Sequence, residues 1–411
     1  MKKIKISLPI QILIALALGV IFGIFFHEYV KYISWAGDIF IRLLKMIVVP
    51  IVVSSMIVGV ASIGKTGGLG RIATKTLTFY VVTTLVATFV GLALVNAIEP
   101  GVGSSLVNQA SSAEHLAGAE RVPLGQQLIN IVPENIFQDL VENDMLAIIF
   151  FSILFGYFVT LVGEKSSATI INFFEAVFEV IMKIVLTIIK VAPIGVFAIV
   201  AKMISMQAGD MAKLADIAQS LGLFVLIIWI GCAIHFFIIM PSIVYFLGHE
   251  NPWRHMKKMS TAILTAFSTC SSGAALPFSM KDSQEKCGIS NKIASFTLPL
   301  GATINMNGTA LYEGVAVIFI AQVYGIDLSF LEQLIIVVTV LFSAIGAASI
   351  PMAGLVMLSV ALSVAGLPME GIGLVLAVEQ LCDMPRTATN SYGDMCAAVV
   401  IAKSEGEKLT I

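Results

Sequence analysis

The sequence predicts an all-α membrane protein whose early spans are uninterrupted and whose later ones are broken at mid-depth. Three observations carry that reading. Hydrophobic residues make up 58% of the 411 positions and charged residues only 12%, with a mean hydropathy of +0.97, far from the balance of a soluble domain. Many apolar runs reach about 20 residues, enough to cross roughly 30 Å of hydrocarbon as a helix, and they lack the every-second-residue alternation of barrel strands. Beyond Pro252 the apolar segments are interrupted by short stretches rich in Ser, Gly, Asn and Pro. Non-helical backbone at membrane depth survives only where protein or a water-filled cavity satisfies its polar groups.

The N-terminal MKKIKISLPIQILIALALGVIFGIFF has a basic start, a long apolar run and no small-residue cleavage site. It predicts a retained first helix, not a signal peptide. Apolar segments near 9–26, 38–63 and 76–98 are the first three spans, and residues 99–130, rich in Gly, Ser, Ala and Gln, predict an exposed loop. Further spans lie near 143–163, 168–205 and 218–247, the second of them interrupted by Pro193 and Gly195. Residues 258–280, containing STCSSGAALP, suit two half-helices meeting at a tip. Residues 289–324 are long enough to cross but carry NMNGT (Asn305 to Thr309) in the middle, and 331–365 contain a second interruption around Ser349 and Pro351. Two interrupted hairpins flanking a broken helix predict a binding site made of helix ends and free carbonyls, as in transporters with inverted repeats. With the last helix, the expectation is eight transmembrane helices plus two re-entrant hairpins.

With both interrupted segments treated as hairpins, Lys2, Lys3, Lys5, Lys65, Arg71, Arg254, Lys257, Lys281, Lys292 and Lys403 collect on one side of the bilayer. Little beyond Lys31, Arg121 and Lys213 falls on the other. The positive-inside rule then puts both termini in the cytoplasm. The formal net charge of −2 carries no information on partners, and no nucleic-acid partner is expected. Five cysteines without CxxC spacing predict neither a disulfide framework nor a zinc site.

The last apolar segment contains DMPRTATNSYGD, from Asp383 to Asp394. At helical spacing Glu379, Asp383, Arg386, Thr387, Asn390 and Asp394 share one face. An ionised side chain near the bilayer centre costs at least about 2.5–3.5 kcal/mol, so such a stripe faces a cavity or the protein interior and marks a substrate or ion pathway. On spacing alone, the alternative is an intrahelical Asp383–Arg386 ion pair that neutralises both charges. Pro385 lacks a backbone donor and is expected to kink or unwind this helix locally. His235, inside an apolar run, is expected to be a satisfied core histidine.

Four motifs occur in order: the serine-rich tip at Thr269 to Pro277, SFTLPLGATI (Ser295 to Ile304) running into NMNGT, the Pro351 tip, and DMPRTATN. On these the chain resembles the glutamate transporter family, the dicarboxylate/amino-acid:cation symporters, from Leu8 to Lys403. The resemblance implies an elevator-type glutamate transporter fold and a homotrimer in the lipid bilayer of the plasma membrane. Residues 1–70 and 128–206 would form a scaffold, 71–99 and 217–411 a moving transport domain, and 100–127 an extracellular loop. The compact length points to a prokaryotic source.

The resemblance also implies roles for single residues. Asp383, with Thr387 nearby, would hold a substrate ammonium through charge-assisted hydrogen bonds. Arg386, whose guanidinium fork matches a carboxylate, would hold the distal carboxylate with Thr309. Asn390, with Ser272 and its neighbour Ser271 at the first hairpin tip, would contact the α-carboxylate. Sodium takes hard oxygen ligands. One site would use Asp394 with carbonyls at Gly301, Asn305 and Asn390, and a second Thr303 with carbonyls near Ala344 to Ala347. For Gly301 and Thr303, close helix packing is an equal alternative. A third site would use Tyr80, Thr83, Thr84 and Asn305, with Asn307 where the family carries aspartate, so sodium binds more weakly there unless the amide oxygen substitutes. Glu313 matches the proton-carrying glutamate of animal members, with a structural hydrogen bond as the alternative. Cys270, Gly273 and Met384 leave the first hairpin tip without the basic residue that relatives carry.

The function implied is secondary active import of L-glutamate or L-aspartate coupled to sodium, protons or both, with no other cofactor. A C4-dicarboxylate symporter, which Asp383 argues against, and a ligand-gated anion channel are the alternatives. No nucleophile, base and oxyanion constellation of an enzyme is present.

Overall fold

The structure is a computed structural model describing residues 8–64, 70–104, 129, 132–142, 144–206, 210–346 and 353–411. Every regular element among them is helical. Helices α1 (Leu8–Phe25), α2 (Ser34–Gly64) and α3 (Gly70–Ile98) take up the first three apolar runs. After the short α4 (Ile136–Glu142) come α5 (Met145–Leu161) and α6 (Glu164–Ser205). Helix α7 (Met211–Ile234) continues through a π-helical turn at His235–Ile239 into α8 (Met240–Phe246). Short polar residues start several of these helices by accepting orphan backbone N–H groups. Asp144 accepts from Ala147, Asp210 from Ala212 and Lys213, and Asn251 from Trp253 and Arg254 at the head of α9 (Pro252–Lys258).

The second half has the expected breaks. The first hairpin is α10 (Ser260–Thr269) and α11 (Ser272–Glu285), turning at Cys270 and Ser271. Cys270 sits in the left-handed region at φ 51°, a conformation that costs a non-glycine residue about 1–3 kcal/mol and persists where surrounding contacts enforce it. The broken helix is α12 (Asn291–Ile304) and α13 (Asn307–Val323). The second hairpin has arms α14 (Phe330–Gly346) and α15 (Ala353–Val364) packed side by side. Its tip, with Ser349 and Pro351, lies outside the described residues. After the short α16 (Ile372–Leu376), α17 (Glu379–Ser404) ends the helical part.

By length and apolar character alone, five helical stretches among the described residues can cross a membrane. They are Ser34–Ala61, Gly70–Ile98, Glu164–Ser205, Met211–Phe246 and Asn291–Val323. Shorter apolar helices cover Ile10–Phe25, Ala147–Leu161 and Phe330–Ala344. Helix α17 is too polar to qualify on composition, yet Cys382 and every residue from Pro385 to Ala402 are buried. Neighbouring helices cover most of it.

The interruption expected at Pro193 and the local unwinding expected at Pro385 are corrected. Helix α6 runs unbroken for 42 residues through Pro193. Gly195 instead serves close packing, since a Cβ there would stand 2.6 Å from Cβ of Phe40 on α2. Helix α17 likewise runs unbroken through Pro385. The carbonyl that Pro385 leaves without a donor is that of Leu381, four residues earlier. The indole Nε1 of Trp229 on α7 donates to it at 3.0 Å.

Helices α1, α2, α5 and α6 pack on one another, while α3 lies along α13 and α7. Helix α17 is enclosed by α10, α12, α13 and α7. The two groups meet where both arms of the second hairpin lie on α2 and where α16 meets α6. The C-terminal residues form a strap: the Thr410 amide donates to the Cys287 carbonyl at 3.0 Å and its hydroxyl to the Lys286 carbonyl at 3.0 Å. Lys258 Nζ joins them by donating to the carbonyls of Lys286 and Thr410.

Candidate functional site

The polar stripe of α17 meets the break between α12 and α13 and the arms of both hairpins. Arg386 is the centre of it and only 2% exposed. Its Nη2 donates to Asp383 Oδ1 at 2.7 Å and to Glu379 Oε1 at 2.8 Å, and its Nε to Asp383 at 3.2 Å. The Tyr312 ring on α13 lies 4.5 Å from Cζ, a cation–π contact. The intrahelical Asp383–Arg386 pair is therefore present, with Glu379 as a second carboxylate. It leaves one edge of the guanidinium unused. Nη1 is buried with no hydrogen-bond partner among the described residues. That edge faces Gly354 on the second hairpin, where a Cβ would come within 2.6 Å of Nη1. Glycine keeps the space beside the free donors open.

Asp383 also accepts from the Thr387 hydroxyl at 3.0 Å. One turn further, Asn390 Oδ1 accepts the backbone N–H of Gly308 at 2.7 Å and of Thr309 at 3.3 Å, the orphan donors at the start of α13. Its Nδ2 donates to Thr309 Oγ1 at 3.0 Å. Asn390 thus ties α17 to the helix break and sets Thr309 on the same side. At the first hairpin tip, Ser271 caps α11 by accepting from Ala274 at 3.2 Å, and Ser272 is buried beside it. The tip is joined to α17 by Gln380, whose Nε2 donates to Cys270 Sγ at 3.2 Å.

The candidate cation ligands divide into two groups. Tyr80, Thr83, Thr84, Asn305, Asn307 and Asp394 are all buried. Asn307 Oδ1 accepts from Thr84 at 2.8 Å and Thr83 at 3.4 Å, and Asn305 Nδ2 donates to Asp394 at 2.9 Å. Gly301 lies against the Tyr80 hydroxyl, 2.6 Å from where its Cβ would be. The donor set is neutral oxygen plus one carboxylate, the chemistry a hard monovalent cation takes. Thr303 stands apart: it is exposed and donates to the Leu300 carbonyl at 3.0 Å. Of its expected partners Ala344 to Ala347, the last lies outside the described residues.

Glu313 is wholly buried on α13, and its Oε2 accepts from Ser343 on α14 at 2.8 Å. One carboxylate oxygen thereby links the broken helix to the second hairpin. His235 is fully buried as expected, but neither ring nitrogen has a partner among the described residues, so it is not the satisfied histidine the sequence predicts. Sequence reasoning assigned nothing to Glu379, Tyr312, Ser343 or Gln380. For Glu379 the signal was present, since it lies on the same helical face as Asp383 and Arg386.

Residues 8–404 match the sodium:dicarboxylate symporter family. The chain belongs to that family. It is therefore a multi-pass membrane symporter, not an enzyme. It is 37% identical to the proton/sodium-glutamate symport protein of Bacillus subtilis (strain 168), with 99% of this chain and 94% of the relative covered. It is 35% identical to the proton/glutamate-aspartate symporter of Escherichia coli (strain K12), covering 98% and 94%. It is also 32% identical to excitatory amino acid transporter 3 of Oryctolagus cuniculus, covering 98% and 86%. The symporter's matched region includes every element of the site.

Proposed function

We propose that this symporter imports L-glutamate or L-aspartate across the plasma membrane, driven by protons, sodium or both. The carrying observation is the buried Arg386 with its unpartnered Nη1 edge, enclosed by α17, Tyr312 and the second hairpin. A buried guanidinium of this kind suits a planar carboxylate. Thr309 joins Arg386 at the distal carboxylate. Asp383, four residues from Thr387, supplies the opposite charge that a substrate ammonium needs, with Asn390, Ser271 and Ser272 placing the remaining carboxylate. An amino acid satisfies both charges, whereas a C4-dicarboxylate leaves Asp383 facing an anion. Relatives named for glutamate and aspartate support the choice.

For coupling, Asp394, Gly301 and Asn305 form one sodium site, and Tyr80, Thr83, Thr84 and Asn307 contribute to another, with Thr303 held for a third. Glu313 carries the proton. Its bond to Ser343 makes protonation a matter for the second hairpin as well as for charge. Eight spans, two hairpins and inverted repeats form an elevator within a homotrimer. Helices α1, α2, α5 and α6 act as scaffold and α3 with residues 217–411 as the moving part, both termini in the cytoplasm.

The test is uptake of radiolabelled L-aspartate and L-glutamate into proteoliposomes with sodium and proton gradients imposed separately and succinate as competitor. Accumulation of either amino acid under one gradient supports the assignment. Inhibition of that uptake by succinate at concentrations as low as by unlabelled aspartate, or no accumulation under either gradient, refutes it.

A further inference from the structure

Behind the binding turn of α17 lies a hollow of about 470 Å³ with walls from α7, α10 and the rear of α17, among them Trp229, Leu264, Phe267, Pro385 and Ala388. None of the candidate substrate or cation ligands lines it. Trp229 stands at the middle of the membrane-length stretch Met211–Phe246, whereas tryptophans favour the membrane–water boundary, where the indole N–H finds a partner. Here the partner is the Leu381 carbonyl that Pro385 frees. The Thr389 hydroxyl in the same wall is spent on the Pro385 carbonyl at 2.8 Å. With no charged side chain in the wall, a polar ligand would lose its hydration there and gain little in return. A hydrocarbon chain loses nothing. The mouth is open to the surroundings of the helices, with Leu264 65% and Phe237 51% exposed.

Phe237 also lines a second hollow, of about 770 Å³, at the α8–α9 turn. Its wall includes Tyr245, His249, Glu250, Asn251 and Trp253. Exposed Tyr245 and Trp253 beside polar groups mark the boundary where amphipathic rings meet lipid headgroups. A dry hollow at mid-span therefore shares the Phe237 wall with a polar-rimmed one at the interface. We propose that the two hold one phospholipid, its acyl chain against Pro385 and Ala388 and its glycerol and head region against the Tyr245–Trp253 turn. The lipid packs the rear of the turn whose front carries Arg386, Thr387 and Asn390. The site does not depend on which substrate is carried.

The test uses the full chain in detergent. Its three tryptophans are Trp35, Trp229 and Trp253, so Trp35→Phe with Trp253→Phe leaves Trp229 as the only tryptophan, excited selectively at the red edge of the indole band. Titration with a phospholipid brominated in mid-chain is expected to quench Trp229 saturably at about one lipid per chain, and at about tenfold lower concentration than a brominated fatty-acid ester. Ala233→Leu, at an exposed wall position, should raise the required concentration by about tenfold. Ser260→Ala, at the wall without filling it, should leave it unchanged. A variant retaining only Trp35 reports ordinary surrounding lipid and should show no saturation at that stoichiometry. Non-saturating quenching of Trp229, or an Ala233→Leu protein of unchanged melting temperature that quenches like its parent, overturns the proposal. Equal potency of the ester overturns the head-region half.

Discussion

Replacing Trp229 with phenylalanine keeps an aromatic ring on α7 but removes the N–H that serves the Leu381 carbonyl. Hydrogen bonds measured between membrane helices average about 0.6 and reach about 1.7 kcal/mol. The donor that the Leu381 carbonyl would ordinarily take, four residues on, is missing at Pro385. The expected loss is therefore at the upper end of the membrane range, about 1–1.5 kcal/mol. Pro385→Ala restores a backbone N–H to that carbonyl. In the alanine background Trp229→Phe should cost only the smaller ring's packing, leaving a coupling of about 1 kcal/mol. The assay is unfolding in mixed micelles followed by circular dichroism for the parent, both single variants and the double variant. Independent sites add within about 0.3–0.5 kcal/mol, so a coupling inside that range would refute the account of how α17 stays unbroken through Pro385.

Arg386→Gln should abolish acidic amino-acid uptake and destabilise the protein by about 3–5 kcal/mol, because Glu379 and Asp383 are left buried without their cation. Adding Glu379→Gln should recover part of the melting temperature without recovering uptake. Glu313→Gln should eliminate accumulation under a proton gradient alone while substrate binding, read by calorimetry, persists. Persistence of proton-driven uptake would leave Glu313 as a structural bond to Ser343. Asn307→Asp should raise apparent sodium affinity about tenfold, equivalent to ~1.4 kcal/mol, read as the sodium dependence of uptake; no change would remove the Thr83–Thr84 cluster from the cation sites. At the C-terminal end of α17, hydrogen bonds from Arg71 and Lys75 hold the Glu405 carboxyl at about 2, below its usual 4.5. That contribution is complete above pH about 4.5 and is lost as pH falls toward about 2. The melting temperatures of the parent and Glu405→Gln should accordingly converge as pH falls through that window.

The parts of the site legible in the sequence were those where a bilayer makes a residue expensive. Asp383, Arg386 and Asp394 on one face could only be buried, and the breaks at Cys270–Ser271 and Asn305–Met306 were marked by residues that interrupt an apolar run. What stayed hidden was supplied from elsewhere in the chain. Pro385 reads as a kink until Trp229, 152 positions from Leu381, is seen to complete its hydrogen bond. Pro193 reads as an interruption because nothing local says that α6 is held along its length by α1 and α2. His235 was expected to be satisfied because most buried histidines are, and the sequence gives no sign of the π-turn it begins.

The strap of Thr410 across Lys286 and Cys287 spans 124 positions of chain. During synthesis the chain emerges from its N-terminal end, so the first hairpin and α12 enter the membrane well before their fastening exists. Until Thr410 arrives, Lys258 holds the base of that hairpin to Lys286 alone. The order of manufacture leaves the base of the first hairpin unfastened longest, and it is secured only after α17 is already in place.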